Sequence, residues 1–251
     1  MNASRPVLPV AGALAAIGIW WGATAVFGIR PLFLPAPPDV VAAFRAQPGY
    51  LLCETGATLL ETVTGFGLAV LLGLLIAVTL TASRTLERAA LPVLVALNSV
   101  PKVAVAPLLV VWLGFGPRPK VVLVLLICVF PIVVATMAGL TSTPSELGEL
   151  SRSLSASAWQ TYVKIRLPWA LPQVFTGLKV AVSLAVIGAV VAEISNPSGG
   201  LGAVVVLSGM SFDTPLAFAA IVLLALLSTA LFYLVVAVER LLVPWARAIA
   251  G

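Results

Sequence analysis

Histidine is absent from this chain, and cysteine occurs only twice. Those absences remove most zinc sites, Ser/His/Asp triads and Cys/His nucleophiles, since each needs an imidazole as ligand or base. Cys53 falls in a polar stretch and Cys128 in an apolar one, so the two are expected not to pair. Charge is scarce as well. Only 9% of the residues are Asp, Glu, Lys or Arg, where a soluble domain carries roughly 25%. A GxxxxGK[ST] phosphate loop is also missing. If ATP drives this system, another chain binds it.

What is present is apolar: 61% of the 251 residues are hydrophobic. A soluble core of this length cannot hide that much apolar surface, so the chain is read as an all-α integral membrane protein. The net charge of +5 comes from dispersed basic residues. They match no nucleic-acid module and are read as fixing membrane orientation.

A spanning helix needs about 20 mostly apolar residues, and six such segments are expected. They run roughly Leu8 to Phe27, Leu59 to Thr81, Ala89 to Trp112, Val121 to Leu140, Val174 to Ile194 and Leu216 to Val238. The third is interrupted, and the fourth contains Pro131. Arg5 precedes the first segment, and Ala23-Thr24-Ala25 resembles a cleavage site. Its apolar run exceeds a signal core, so it is read as a retained span. The whole chain, 1–251, is read as one transmembrane domain with no soluble module.

Lys and Arg near the span ends set the orientation. With the N-terminus in the cytoplasm, nine fall inside: Arg5, Arg84, Arg88, Arg152, Lys164, Arg166, Lys179, Arg240 and Arg247. Four fall outside, Arg30, Arg45, Arg118 and Lys120, while Lys102 lies within a span. Both termini are therefore expected in the cytoplasm. The outer loop 28–57 is proline-rich, and Asp39 is placed to cap a short helix from Val40. A second outer loop, Ser195 to Thr214, carries the turn cluster Asn196-Pro197-Ser198-Gly199-Gly200.

Small residues recur every four positions in two spans: Gly65, Ala69, Gly73 and Ala77, then Gly177, Ala181, Ala185 and Ala189. Such rows let helices approach closely. They serve ordinary bundle packing or face one another across a pathway. Glu61 and Glu193 extend these rows to the outer span ends, where water solvates them or a translocation path uses them. Lys102 sits mid-span in Asn98-Ser99-Val100-Pro101-Lys102, with Pro107 following. An ionisable residue there costs roughly 2.5–3.5 kcal/mol. Broken helix in a membrane is tolerated where protein or a water-filled cavity satisfies the backbone. Asn98, Ser99 and Lys102 are thus candidates to line a path for anionic cargo; the alternative is a kink with Lys102 paired internally.

The longest polar stretch, Ser145 to Pro172, carries Glu146, Glu149, Arg152, Lys164 and Arg166. Leucines at 147, 150 and 154 give it helical periodicity. A polar, amphipathic pair of short helices between spans suits docking of a soluble partner.

This stretch resembles the EAA loop of ABC-importer permeases, which reads EAA, three residues, Gly, nine residues, Ile, one residue, Leu-Pro. Glu149-Leu150-Ser151 stands at EAA, Ser155 at the Gly, and Ile165 and Leu167-Pro168 complete the spacing. Leu150, Ser151 and Ser155 depart from the pattern. Ser-Val-Pro-Lys before the break, Trp112-Leu113-Gly114-Phe115-Gly116 after it, and Val191-Ala192-Glu193 resemble the nitrate/sulfonate/taurine subgroup. The resemblance implies a type I importer permease with cytoplasmic coupling helices in a bacterial inner membrane. It implies a second permease subunit, as a homodimer, two ATPase subunits that use ATP and Mg, an extracytoplasmic binding protein, and surrounding lipid. No cofactor is expected on this chain. The coupling contact is placed on Ser155 to Trp159: Ser155, Ala156 and Ser157 allow close approach, Trp159 is the anchor, and Glu149 caps or salt-bridges within the loop, which also includes Arg152, Ile165, Leu167 and Pro168. The cargo is then a small anionic or heterocyclic solute. A self-sufficient secondary transporter or channel is the alternative; an integral membrane enzyme fits less well, for want of a catalytic cluster.

Overall fold

The computed structural model describes residues 7–245, without the side chains of residues 7–10, Arg84, Arg152 and Ala158. Arg5 and Arg247 lie outside the described residues, as do the side chains of Arg84 and Arg152. Every regular element described is helical. In order they are α1 (Val7–Val26), α2 (Pro37–Ala46), α3 (Pro48–Thr81), α4 (Arg84–Ser99), α5 (Lys102–Leu113) and α6 (Pro117–Thr141). Then come α7 (Ser145–Ser153), α8 (Ala158–Thr161), a π-helical turn (Tyr162–Arg166), α9 (Leu167–Ser195), α10 (Leu201–Met210) and α11 (Thr214–Leu242).

Among the described residues, four helices are long and apolar enough to cross a membrane: α3, α6, the continuous run Trp159–Ser195, and α11. The pair α4–α5 makes a fifth if it counts as one bent span. The remaining expected span, the first, falls on α1, whose described side chains begin only at Ala11 and which is described as a shorter apolar helix over Ala11–Val26. Length and apolarity establish four or five spans among the described residues, not the six expected.

Most span boundaries lie further out than the apolar runs suggest. α3 begins at Pro48, well before Leu59, and its 34 residues reach about 50 Å at 1.5 Å per residue. α6 begins at Pro117, so Lys120 belongs to its first turns and not to an outer loop. Proline at the first helical positions costs nothing, because those amides lack an acceptor anyway. The same reason starts α2 at Pro37 instead of Val40. Asp39 is therefore the third helical residue and not the N-cap, which is Ala36; its carboxylate reaches back to accept from the Ala36 N–H at 2.9 Å.

α6 lies between α3 and α9 and packs along both. The two rows of small residues meet this central helix. A Cβ on Gly65 would stand 2.6 Å from the Val124 Cβ, and one on Gly73 2.8 Å from the Ile132 Cγ2. Gly177 abuts Ala135 in the same way. Ala69, Ala181, Ala185 and Ala189 share one buried cluster with Val124, Cys128 and Ile132. The rows therefore build the bundle core and do not line a pathway within this chain. Both cysteines are free, Cys53 exposed and Cys128 buried. The Lys179 ammonium reaches Glu239 at 3.0 Å and ties α9 to α11. α1 stands at the margin; the Trp20 ring lies 6.0 Å from Phe218 of α11.

The expected outer loop 195–214 contains α10, a ten-residue apolar helix. Ten residues span about 15 Å, half a bilayer core. That length is why its apolarity alone did not mark it as an element.

Candidate functional site

Three places carry the polar groups of this bundle. The first is where α3 begins, α6 begins and α9 ends. Glu54, Thr58 and Glu61 recur at four and three residues, so they share one face of α3. Thr58 donates to Glu193 Oε1 at 2.6 Å and accepts from the Leu201 N–H at 2.8 Å. The Gly202 N–H donates to Glu193 Oε2 at 2.7 Å, and the Gly200 N–H donates to Glu54 Oε2. Consecutive amides at the start of α10 thus find acceptors on α3 and α9. Such amides have no partner within their own helix, and their partial positive charge favours carboxylates. Gly200 has φ 97°, and a Cβ there would overlap the Glu193 carboxylate, so only glycine fits.

Lys120 completes this clamp. Its ammonium pairs with Glu61 Oε1 at 3.0 Å and donates to the Gly199 carbonyl at 2.8 Å. Asn196 Nδ2 donates to the Gly116 carbonyl at 3.2 Å. Glu193, Lys120 and Glu61 are 0%, 1% and 6% exposed. Glu61 and Glu193 are therefore not water-solvated span ends, as the sequence suggested; each has a buried partner inside the chain. Among the described residues, Glu61 Oε2 and Asn196 Oδ1 keep no hydrogen-bond partner. The described residues contain no metal-binding group of three or more His, Cys, Asp or Glu. The chemistry of this cluster is positional: it pins the loop 196–202 through that loop's backbone.

The second place is the break between α4 and α5, a bend of 85° at Val100–Pro101. The expected interruption is there, but Pro107 does not contribute to it. Pro107 and Pro92 both sit inside continuous helix. Lys102 donates to the Asn98 carbonyl at 2.9 Å and to Asn98 Oδ1 at 2.7 Å. The ammonium thereby caps the C-terminal end of α4, where cations are favoured. Ser99 is exposed and donates to the Val95 carbonyl. Asn98 and Lys102 thus form one unit at the break, while Glu61 and Glu193 belong to the clamp.

The third place is the polar segment between α6 and α9. α7 ends at Ser153, and the chain turns through Ser155, which has φ 53°. Left-handed backbone favours glycine, the residue the EAA pattern has at this position. The helix expected over Ser155 to Trp159 instead begins at Ala158. Ser157 explains the shift: its Oγ accepts from the Gln160 N–H at 3.2 Å, and its own N–H donates to Gln160 Oε1 at 2.9 Å. That reciprocal pair is a capping box and sets the helix start. Ser151 is buried, accepts from Thr161 Oγ1 at 3.2 Å, and its carbonyl receives the Ala156 N–H at 2.9 Å. A small residue at 151 is what lets the turn fold back on α7. Trp159 and Leu154 project from this turn, 74% and 73% exposed. Glu149 is exposed and makes no ion pair with a described side chain, and Arg152's side chain lies outside those described. Ile165, Leu167 and Pro168 form the passage from the π turn into α9.

Sequence reasoning missed Glu54, Thr58 and Lys120. Their spacing from Glu61 was visible, but the first two lay in a stretch read as loop. Lys120 was counted as a loop charge.

The family described as "Binding-protein-dependent transport system inner membrane component" matches residues 69–247. The chain is 38% identical to the riboflavin transport system permease protein RibX of Chloroflexus aurantiacus, over 96% of this chain and 91% of that protein. It is 34% identical to the formylaminopyrimidine transport permease protein ThiX of Halalkalibacterium halodurans, over 91% of this chain and 92% of the relative. Identity to the taurine transport system permease protein TauC of Escherichia coli is 30%, over 96% and 91%. Among solved structures, a chain of the inward-facing MetNI methionine ABC transporter superposes with a TM-score of 0.69 at 21% identity. That match covers 78% of this chain and 97% of the other, and shows likeness of fold alone.

Proposed function

The chain belongs to the family of inner-membrane components of binding-protein-dependent transport systems, and from that membership we propose how it works and with what. It is the permease subunit of an ABC importer for a small solute. Two copies form the path. An ATPase chain on each side binds ATP and Mg, and an extracytoplasmic binding protein delivers the cargo. Both termini and the turn between α7 and α9 face the cytoplasm. This chain itself binds no cofactor and hydrolyses nothing.

The observation that carries this reading is the turn Leu154–Thr161. It lies outside the long apolar helices except at its last residues, is braced from within by Ser151 and the Ser157–Gln160 box, and exposes a tryptophan and a leucine. Exposed Trp on a braced polar turn suits a groove on a soluble partner, where Trp is enriched among energetic anchors. ATP closure of the partner then moves two such turns together. The bundle is a two-state element biased by ATP and by the loaded receptor. Glu149, Ser155, Ala156 and Ser157 shape the contact, Arg152 adds its charge beside it, and Ile165, Leu167 and Pro168 pass its motion into α9.

Cargo is small and either anionic or heterocyclic. The riboflavin and formylaminopyrimidine relatives share more identity with this chain than the taurine relative does, which favours a heterocycle. Asn98, Ser99 and Lys102 at the helix break are the candidates to meet it, because Lys102 keeps a third N–H beyond its two bonds to Asn98. Glu61 and Glu193 act on the path only through the clamp on α10.

Trp159→Ala and Ser155→Arg test the docking reading. Each is expected to lower co-purification of the ATPase by about a hundredfold or more, at unchanged membrane expression, through lost buried area or a buried unpaired charge. Wild-type co-purification and transport in both variants would remove the turn as the coupling contact.

A further inference from the structure

A cavity of about 540 Å³ opens where the helices end near the coupling turn. Thr81 and Glu87 line it from the α3–α4 side, Thr143 from the α6–α7 connection, and Tyr162, Ile165 and Arg166 from the π turn. α3 ends at Thr81, α6 at Thr141, and α9 starts at Leu167. The cavity therefore sits at the depth where long apolar helices stop and lipid headgroups lie.

Two of its hydroxyls are uncommitted. The Tyr162 hydroxyl and Thr143 Oγ1 are shielded from solvent and have no hydrogen-bond partner among the described residues. A buried hydroxyl left unpaired is costly, and most such groups in folded proteins find a partner. Arg166 and Glu87 line the same cavity, yet neither makes an ion pair with a described side chain. A second hollow shares Thr81, Tyr162 and Arg166 and continues along Val78, Ala156 and Trp159. Opposite charges that line one space without meeting are suited to a ligand carrying both signs.

We propose that this cavity binds the headgroup of a zwitterionic aminophospholipid, phosphate on Arg166 and ammonium on Glu87. The guanidinium fork matches phosphate oxygens, and the Tyr162 and Thr143 hydroxyls supply further donors. Glu87 selects a primary ammonium: it repels a purely anionic headgroup, and a quaternary choline offers it no N–H. Val78, one turn deeper on α3, gives the neighbouring hollow an apolar wall for the glycerol and first acyl carbons. The lipid would lie directly behind the turn that exposes Trp159, so its occupancy would stiffen that turn. This inference rests on the membrane reading of the bundle and not on the cargo or the ATPase.

The test uses the full chain, purified, stripped of lipid and offered equal amounts of phosphatidylethanolamine, phosphatidylcholine and phosphatidylglycerol, with retained lipid read by native mass spectrometry. Phosphatidylethanolamine is expected to be retained about tenfold over the other two, the equivalent of one charge-assisted hydrogen bond. Arg166→Gln should abolish that retention while Arg166→Lys keeps part of it, which separates lost binding from misfolding. Glu87→Gln should make phosphatidylethanolamine and phosphatidylglycerol equivalent. Soluble phosphoethanolamine is the second arm. If it protects the purified chain while the lipid is not retained, the ligand is a free solute and the lipid proposal fails. Equal retention of all three lipids by the wild type, or unchanged selectivity in Arg166→Gln and Glu87→Gln, also overturns it. Wild-type ATPase co-purification and transport in both docking variants would strike the coupling-turn reading and leave these lipid ratios untouched.

Discussion

At the scale of single residues, the clamp at α10 shows why a buried charge matters more for what it leaves behind than for what it adds. Glu61 and Lys120 are paired at 3.0 Å with almost no exposure. A buried pair gains little over an apolar pair of similar volume, but an orphaned partner costs about 3–5 kcal/mol. Lys120→Met is therefore expected to lower the melting temperature and membrane yield sharply, since it strands Glu61 and frees the Gly199 carbonyl. Glu61→Leu combined with Lys120→Met should recover most of that loss. Thermal melts of the three variants in one detergent check this; a double variant as weak as the single one would mean that Lys120 acts only through Gly199. The clamp was half legible beforehand. Glu61 and Glu193 stand out as carboxylates in apolar text, but their partners are a backbone loop and a lysine from another helix. No local pattern announces such partners.

At the scale of elements, small residues decide which helices touch. Gly65 faces Val124 so closely that a Cβ would stand 2.6 Å from the valine Cβ and 2.9 Å from the Val121 carbonyl oxygen. Gly67, two residues on, has nothing within 4 Å of its Cβ position. Gly65→Leu should thus push α3 off α6 and abolish stable membrane expression. Gly67→Ala should be neutral or stabilising by up to about 1 kcal/mol, because alanine has the higher helix propensity. Fluorescence-detected size-exclusion of both variants measures the contrast, and equal behaviour would mean that the α3–α6 contact does not hold the bundle. The four-residue rows were readable in the sequence as close-packing faces. Which helix they meet was not: each row is compatible with any partner of suitable shape, and only the packed bundle places α6 between them. The capping box at Ser157 shows the same limit on a shorter range. The residues were visible, yet the helix starts at Ala158, where the Ser157–Gln160 box caps it after the left-handed turn at Ser155.

At the scale of the whole molecule, the bundle exposes apolar side chains along α3, α5 and α11, such as Leu71, Val111 and Leu241. That surface is at home in lipid or against a second copy. The basic residues are expected to set the direction of insertion. In a background lacking Cys53 and Cys128, cysteine placed at Arg45 or Ser198 is expected to react with an impermeant maleimide from outside, and cysteine at Ser155 is not. All three positions are exposed in the fold, so reactivity reports sidedness and not burial. Labelling at 155 from outside would reverse the topology and detach the α7–α8 turn from any cytoplasmic ATPase.

Composition and periodicity alone determined that this chain lives in a membrane, is helical, breaks near Pro101 and presents one polar amphipathic segment, whose importer-type spacing came from its resemblance to the EAA loop. Those properties depend on what each residue is and on its near neighbours. Hydropathy sums along the chain, and helix breaks and turn motifs act within a few positions. Tertiary structure alone decided that Lys120 neutralises Glu61, that Glu54, Thr58 and Glu193 hold the first amides of α10, and that Arg166 and Glu87 line one cavity without pairing. These depend on groups far apart in sequence, in one case 146 residues. Burial makes such contacts obligatory, because a charge or amide cut off from water must find its partner wherever the packed helices bring one.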